Sequence, residues 1–103
     1  MKHIFTFLAL YILLPWVVAG QTVVSIKLEG AINPVTADFV KEAIENAESK
    51  KAACLLIHLN TPGGLLQSTR EIVTELLESP VPIVVYVSPE GAHAGSAGVF
   101  ITL

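Results

Sequence analysis

Residues 54–64 read CLLIHLNTPGG, a short and nearly continuous apolar run that passes into Asn, Thr, Pro and two glycines. A run of this length with little alternation is typical of a strand buried on both faces, as in a parallel sheet. The glycine pair allows a tight turn directly after the strand, with backbone N–H groups aimed outward. The stretch therefore predicts a buried strand followed by a loop that can hold an anion or a developing oxyanion.

Two further strands are predicted, one on each side of this one along the chain. Residues 22–28 (TVVSIKL) are rich in β-branched side chains and alternate loosely, which predicts a strand with one buried face. Residues 83–87 (IVVYV) form another short apolar run after two prolines. With helical patterns between them, the strands predict an α/β fold of right-handed βαβ units on a mainly parallel sheet. Ligands of such sheets bind outside the carboxyl ends of the strands.

The two segments between the strands carry apolar residues at helical spacing. The first begins at Asn33 and Pro34, residue types favoured at a helix start, and ends near Lys50. Its predicted buried stripe consists of Val40, Ala43, Ile44 and Ala47. The second helix is predicted over residues 65–78, with a buried stripe made of Leu65, Thr69, Ile72 and Leu76 and widened by Leu66, Val73 and Leu77.

The first 20 residues (MKHIFTFLALYILLPWVVAG) differ from the rest because they carry a single formal charge, on Lys2. A basic start, an apolar stretch and small residues at the end are the features of a secretory signal peptide. Residues 4–19 are slightly too few to span a bilayer, which takes about 17–25 apolar residues. We therefore expect residues 1–20 to be a cleaved signal peptide, with an uncleaved N-terminal anchor as the alternative. In both cases residues 21–103 are predicted to be an exported domain.

The composition of residues 21–103 excludes several classes of protein. They carry 5 basic and 9 acidic residues, a net charge of −4, which excludes a basic nucleic-acid surface. The chain as a whole is 52% hydrophobic and 15% charged, which is too apolar for a disordered segment. One cysteine and three scattered histidines give neither an internal disulfide nor a metal-ligand spacing. We expect no cofactor, no metal and no nucleic-acid partner.

A second glycine-bearing segment follows the third predicted strand. Residues 91–98 (GAHAGSAG) place Ser96 among small residues, directly before the apolar helical run of residues 99–103. A serine at a strand-to-helix turn of this kind has its hydroxyl exposed at the edge of the sheet. An ordinary turn at Gly63 and Gly64 and an ordinary helix N-cap at Ser96 explain the same residues on local grounds.

The two loops together resemble those of a known family. The segments NTPGG (residues 60–64) and PEGAHAGSAG (residues 89–98) resemble the NfeD family of membrane-associated ClpP-class serine proteases, and the element order over residues 22–103 matches. The resemblance implies a ClpP/crotonase-like fold and hydrolysis of peptide bonds through an acyl-enzyme. It also implies that Ser96 is the nucleophile and that amides of Gly63 or Gly64 and of Ala97 form the oxyanion hole.

The resemblance implies further features outside these two loops. The family's base is a lysine well beyond the serine, so we expect it downstream of Leu103 and expect the 103-residue chain alone to be inactive. Residues 21–103 are then the N-terminal part of the protease domain, truncated within its repeated βα units. The implied partners are a polypeptide substrate, such as a stomatin-like membrane protein, and further copies of the chain in a homo-oligomer. The expected location is the extracytoplasmic side of a membrane.

Two other functions stay open at this point because the chain shows no base for the serine. His93 is interpreted as a loop side chain, and His58 as a packed core histidine or a wall of the cleft. Without a base, the same fold can serve as a non-catalytic peptide-binding or scaffold module. A crotonase-type acyl-CoA enzyme is the other alternative, because it shares the fold and the use of loop amides as an oxyanion hole. Its substrates are intracellular, whereas this domain is expected to be exported.

Overall fold

Strands and helices alternate along the chain, as the sequence predicts. The computed structural model describes residues 20–89 and 91–103. The elements are β1 (Val23–Glu29), α1 (Pro34–Ser49), β2 (Cys54–Asn60), α2 (Leu66–Glu78), β3 (Ile83–Val87) and α3 (Ala97–Thr102). The predicted signal peptide or anchor lies outside the described residues, apart from Gly20. Within the described ranges, no helix combines the length and the hydropathy that crossing a bilayer requires.

The three strands form one parallel sheet in the order β1-β2-β3. Leu28 of β1 lies beside Leu59 of β2, which in turn lies beside Val87 of β3. The prediction of βαβ units on a parallel sheet is therefore confirmed. Because parallel strands all end at one edge, the loops after β2 and β3 emerge side by side.

The hydrophobic core lies on one face of this sheet, against the two longer helices. Alternate side chains of the strands enter it, and Leu55, Ile57 and Leu59 of the central strand are completely buried. The predicted stripe of α1 is confirmed, since all four of its residues are buried, together with Ala37. Ile72 of α2 completes the same cluster. The apolar side chains that recur every 2 residues along the strands thus pack against those that recur every 3.6 residues along the helices, in one apolar layer.

Asn33 begins α1 with a capping box. Its Oδ1 accepts the Thr36 N–H at 3.0 Å, and the Thr36 Oγ1 accepts the Asn33 N–H at 2.8 Å. Just before the cap, the Ile32 N–H donates to the Gly63 carbonyl at 2.9 Å, and the Leu65 N–H donates to the Ile32 carbonyl at 2.9 Å. The start of α1 is therefore tied to the loop after β2.

The prediction that β2 is buried on both faces is wrong. Its second face, which includes Leu56 and His58, is only half-buried. On the neighbouring strands, Ser25 and Lys27 of β1 and Tyr86 of β3 are exposed on this same face. The physical reason is that, among the described residues, α1 and α2 cover one face of the sheet and leave the other open.

The predicted apolar stripe of α2 is partly wrong. Thr69 and Ile72 are buried and Val73 and Leu76 are half-buried, as expected. Three leucines expected in the stripe are exposed instead: Leu65 (57%), Leu66 (65%) and Leu77 (82%). The helix buries Ser68 beside Thr69, so its closely packed side carries small residues. The helix is thus rotated about its axis so that Leu65, Leu66 and Leu77 face solvent.

Candidate active site

The loops that follow β2 and β3 are in direct contact. A Cβ atom built on Gly63 would lie 2.7 Å from the Cβ of Ser96 and 3.2 Å from the backbone N of Ala97. Real Cβ atoms do not approach so closely, so only glycine fits here, and its φ of 116° also favours glycine. The fold therefore brings together the predicted residues of two separate segments.

Ser96 occupies a strained turn at the start of α3. Its φ is 47° and its ψ is −110°, a left-handed φ that costs a non-glycine residue about 1–3 kcal/mol. The residue is exposed, and its side chain makes no capping hydrogen bond to the helix. An ordinary N-cap serine has extended backbone and a bonded side chain, so the N-cap interpretation does not account for this geometry. A serine on a sharp, strained turn between strand and helix is the arrangement of a nucleophile elbow.

The backbone amides near Ser96 differ in whether they already have a partner. The Gly63 N–H donates to the Thr61 Oγ1 at 3.1 Å. Within the described residues, the N–H groups of Gly64 and Ala97 donate to no acceptor. Ala97 is the first residue of α3, where backbone N–H groups have no partner inside the helix. Of the two glycines that the sequence leaves as alternatives, Gly64 is thus the one with a free donor.

Gly64 is fixed by a close backbone approach. A Cβ on this residue would overlap the backbone of Ile32, with which Gly64 forms an isolated parallel bridge. The segment before α1 therefore supports the loop after β2 at Gly64, whereas Ser96 contacts the loop at Gly63. No side chain larger than hydrogen fits at Gly64 without moving that support.

The two histidines near these loops lie in different surroundings. His58 is half-buried, its Nδ1 lies 2.8 Å from the Ser88 Oγ, and its ring packs edge-on against Tyr86. His93 is exposed, as its interpretation as a loop side chain predicts, and its backbone N–H donates to the Asn60 Oδ1 at 3.1 Å. In residues 20–89 and 91–103, no side chain forms a hydrogen bond with the Ser96 hydroxyl. Within the described residues, no side chain is therefore positioned as a hydrogen-bonded base for Ser96.

Thr61 is a residue of this site that the sequence analysis missed. It is completely buried, and its hydroxyl donates to the Gly30 carbonyl at 2.6 Å while accepting the Gly63 N–H. A signal for it exists in the sequence. Thr61 continues the inward-facing positions of β2 two residues after Leu59, so a polar side chain stands where the pattern calls for a buried one.

Metal ligation has no support at this site. The described part of the chain contains no group of three or more His, Cys, Asp or Glu side chains that could hold an ion. The chemistry available here consists of an exposed serine hydroxyl and two free amides. That combination suits attack on a carbonyl whose oxygen becomes negatively charged.

A family model and a curated relative each match most of the chain. The family model described as NfeD1b, N-terminal domain, matches residues 22–103. The membrane-bound protease PH1510 of Pyrococcus horikoshii is 36% identical over 87 residues, which cover 84% of this chain and 20% of that protein. The present chain thus spans about a fifth of the length of this curated relative.

Solved structures agree with this relationship. A serine-to-alanine variant of the 1510-N membrane-bound stomatin-specific protease superposes with a TM-score of 0.81 at 34% identity, covering 82% of this chain and 41% of that one. A lysine-to-alanine variant of the same protease, in complex with a substrate peptide, superposes with a TM-score of 0.79 at 35% identity. The match covers 82% of this chain and 39% of that one. ClpP1 from Listeria monocytogenes gives 0.68 at 22% identity, covering 75% and 44%, which shows a shared fold.

Proposed function

Because the chain belongs to the family of NfeD1b N-terminal domains, we propose that it carries the nucleophile and oxyanion hole of a membrane-associated serine endopeptidase. The chain is related to the membrane-bound protease 1510-N and shares its fold with ClpP. The observation that carries the proposal is the strained, exposed Ser96 held against Gly63, with the free amides of Gly64 and Ala97 beside it.

In the proposed reaction, Ser96 attacks the carbonyl carbon of a peptide bond. The Oγ–C bond forms while a base takes the hydroxyl proton, and the carbonyl oxygen becomes an oxyanion. The amides of Gly64 and Ala97 donate to that oxyanion, and losing one such donor typically costs about 2.7–4 kcal/mol of transition-state stabilisation. The intermediate then expels the amine, which receives the proton, and water hydrolyses the resulting acyl-enzyme. The reaction requires neither a metal nor a cofactor.

The base in this proposal is a lysine downstream of Leu103. The Ser96 hydroxyl has no hydrogen-bond partner in the described residues, and a serine hydroxyl is a weak nucleophile until an adjacent base activates it. The solved relative exists both as a serine-to-alanine and as a lysine-to-alanine variant, the lysine lying further along that chain than the serine. We propose that the domain continues beyond residue 103, and that residues 1–20, as a signal peptide or an N-terminal anchor, direct its export.

The proposed substrate is a polypeptide, and a stomatin-like membrane protein is the first one to test. The solved relative is described as specific for a stomatin homologue and has been captured with a substrate peptide. Those relatives are also described as membrane-bound. We propose that this protein acts on the extracytoplasmic side of a membrane as a homo-oligomer, as the resemblance of its two loops to the NfeD family implies.

Replacement of Ser96 tests the proposal. In the full-length protein, including the residues that carry the proposed lysine, Ser96→Ala should abolish hydrolysis of a peptide from a stomatin-like protein. Ser25→Ala is the matched control, because Ser25 is also an exposed serine but lies on β1. Undiminished hydrolysis by Ser96→Ala overturns the proposal. If the wild type binds the peptide without cleaving it, the chain is a peptide-binding module. If the wild type hydrolyses an acyl-CoA thioester but no peptide, it is a crotonase-type enzyme.

A further inference from the structure

Thr61 connects the three loops at the carboxyl edge of the sheet. The Thr61 N–H donates to the His93 carbonyl at 2.7 Å, and its carbonyl accepts the Gly95 N–H at 2.9 Å. The Oγ1 donates to the Gly30 carbonyl at 2.6 Å and accepts the Gly63 N–H at 3.1 Å. Every polar group of this fully buried residue therefore has a partner.

These partners belong to different parts of the chain. Gly30 follows β1, Gly63 follows β2, and the segment from His93 to Gly95 leads from β3 into Ser96. The threonine methyl takes part as well, because a Cβ on Gly98 would lie 2.9 Å from the Thr61 Cγ2. One residue thus contacts all three loops and the first turn of α3.

The Thr61 hydroxyl determines which backbone N–H group near Ser96 remains without a hydrogen-bond partner. By accepting the Gly63 N–H, it holds the peptide group between Pro62 and Gly63 in one orientation and removes that donor from the site. The next donor, the Gly64 N–H, stays unpaired within the described residues. Without the hydroxyl, the Gly63 N–H would be left buried with no partner, which is unfavourable, and the Gly30 carbonyl would lose its bond to Thr61.

The backbone of Thr61 acts on the other half of the site. Its two hydrogen bonds hold the segment just before Ser96, so the serine stays in contact with Gly63. We propose that Thr61 is a positioning residue which sets the distance between the Ser96 Oγ and the Gly64 N–H. The inference rests on the proposed function, because it assumes that Ser96 is the nucleophile and that Gly64 serves the oxyanion.

Two substitutions separate the hydroxyl from the rest of the side chain. In the full-length protein, Thr61→Val keeps the shape but removes the hydroxyl, and we expect kcat to fall about 10- to 100-fold with little change in KM. This is less than the roughly 100- to 1,000-fold loss that follows deletion of an oxyanion donor. Thr61→Ser keeps the hydroxyl and should retain most of the wild-type kcat. A split between kcat and KM is the sign of an interaction used in the transition state.

Thr69→Val is the matched control. Thr69 is also a buried threonine, and its hydroxyl donates to the Leu65 carbonyl at 2.8 Å, but this bond stays within a single turn at the start of α2. We expect Thr69→Val to leave kcat near the wild-type value. If a folded Thr61→Val has the kcat of Thr69→Val, Thr61 is merely structural and the inference is overturned.

Amide hydrogen exchange gives a readout that does not depend on catalysis. In the full-length protein the Gly63 amide should exchange more slowly than the Gly64 amide, and Thr61→Val should remove this difference while Thr61→Ser keeps it. Equal exchange of the two amides in the wild type overturns the inference even if Thr61→Val does not fold. Should Ser96→Ala retain hydrolysis, the proposed function fails, and the exchange rates still decide whether Thr61 holds Gly63.

Discussion

Gly63 and Ser96 contact each other across two loops that are separated by a whole helix and strand. The space between them is so small that a Cβ on Gly63 would lie 2.7 Å from the Cβ of Ser96. The parallel sheet produces this contact because β2 and β3 end at the same edge.

Gly63→Ala should destabilise the protein more than Gly30→Ala. Both glycines have positive φ, 116° and 86°, so alanine is strained at either position. Around Gly30 there is open space, whereas at Gly63 the new methyl would overlap Ser96. We expect Gly30→Ala to lower the free energy of unfolding by about 1 kcal/mol and Gly63→Ala by clearly more. Chemical unfolding of both variants measures the difference, and equal losses would contradict the contact.

Ser96→Gly should be more stable than Ser96→Ala, although both lack the hydroxyl. The φ of 47° at this position is strained for alanine as for serine, and glycine relieves the strain. We expect a difference of about 1 kcal/mol in the free energy of unfolding. Lys51→Gly is the control, because Lys51 also has a positive φ, 52°, but lies after α1. Relative to the wild type, Lys51→Gly should gain stability and keep hydrolytic activity, whereas Ser96→Gly should gain stability and lose activity.

Ile72→Ala and Leu77→Ala should differ strongly although both residues lie on α2. Ile72 is completely buried, so its truncation should lower the free energy of unfolding by about 2–5 kcal/mol. Leu77 is 82% exposed, and its truncation should change the free energy by less than about 0.5 kcal/mol. Unfolding curves of the two variants provide the test. Similar losses would mean that Leu77 belongs to the core, as the sequence pattern alone predicts.

The leucines of α2 show where sequence periodicity stops being informative. Leu66 and Leu77 satisfy the helical spacing as well as Ile72 does, yet only Ile72 is buried. Periodicity shows that a helix has an apolar side, but the rotation of that helix depends on packing with α1 and the sheet. By contrast, the start of α1 was predictable, because the Asn33 cap is a local interaction.

The sequence points to the two loops of the candidate site, but neither to their geometry nor to the part that Thr61 plays in it. Ser96 and the glycine pair stand out in the sequence because small residues surround a serine after an apolar strand. The positive φ of Ser96 and the bond from Gly63 to Thr61 come from contacts between loops far apart in sequence. Local propensity carries no information about such contacts, so only the structure shows that the Gly63 N–H is bonded while the Gly64 N–H has no acceptor within the described residues.

Covalent labelling of Ser96 tests the central claim most directly. A fluorophosphonate probe reacts with a serine whose hydroxyl is activated and whose oxyanion hole is formed. After treatment of the full-length protein, mass spectrometry should find the adduct on the tryptic peptide that contains Ser96, and Ser96→Ala should show none. Ser25→Ala should be labelled like the wild type. A full-length, folded protein that is not labelled at Ser96 would contradict the assignment of this serine as a nucleophile.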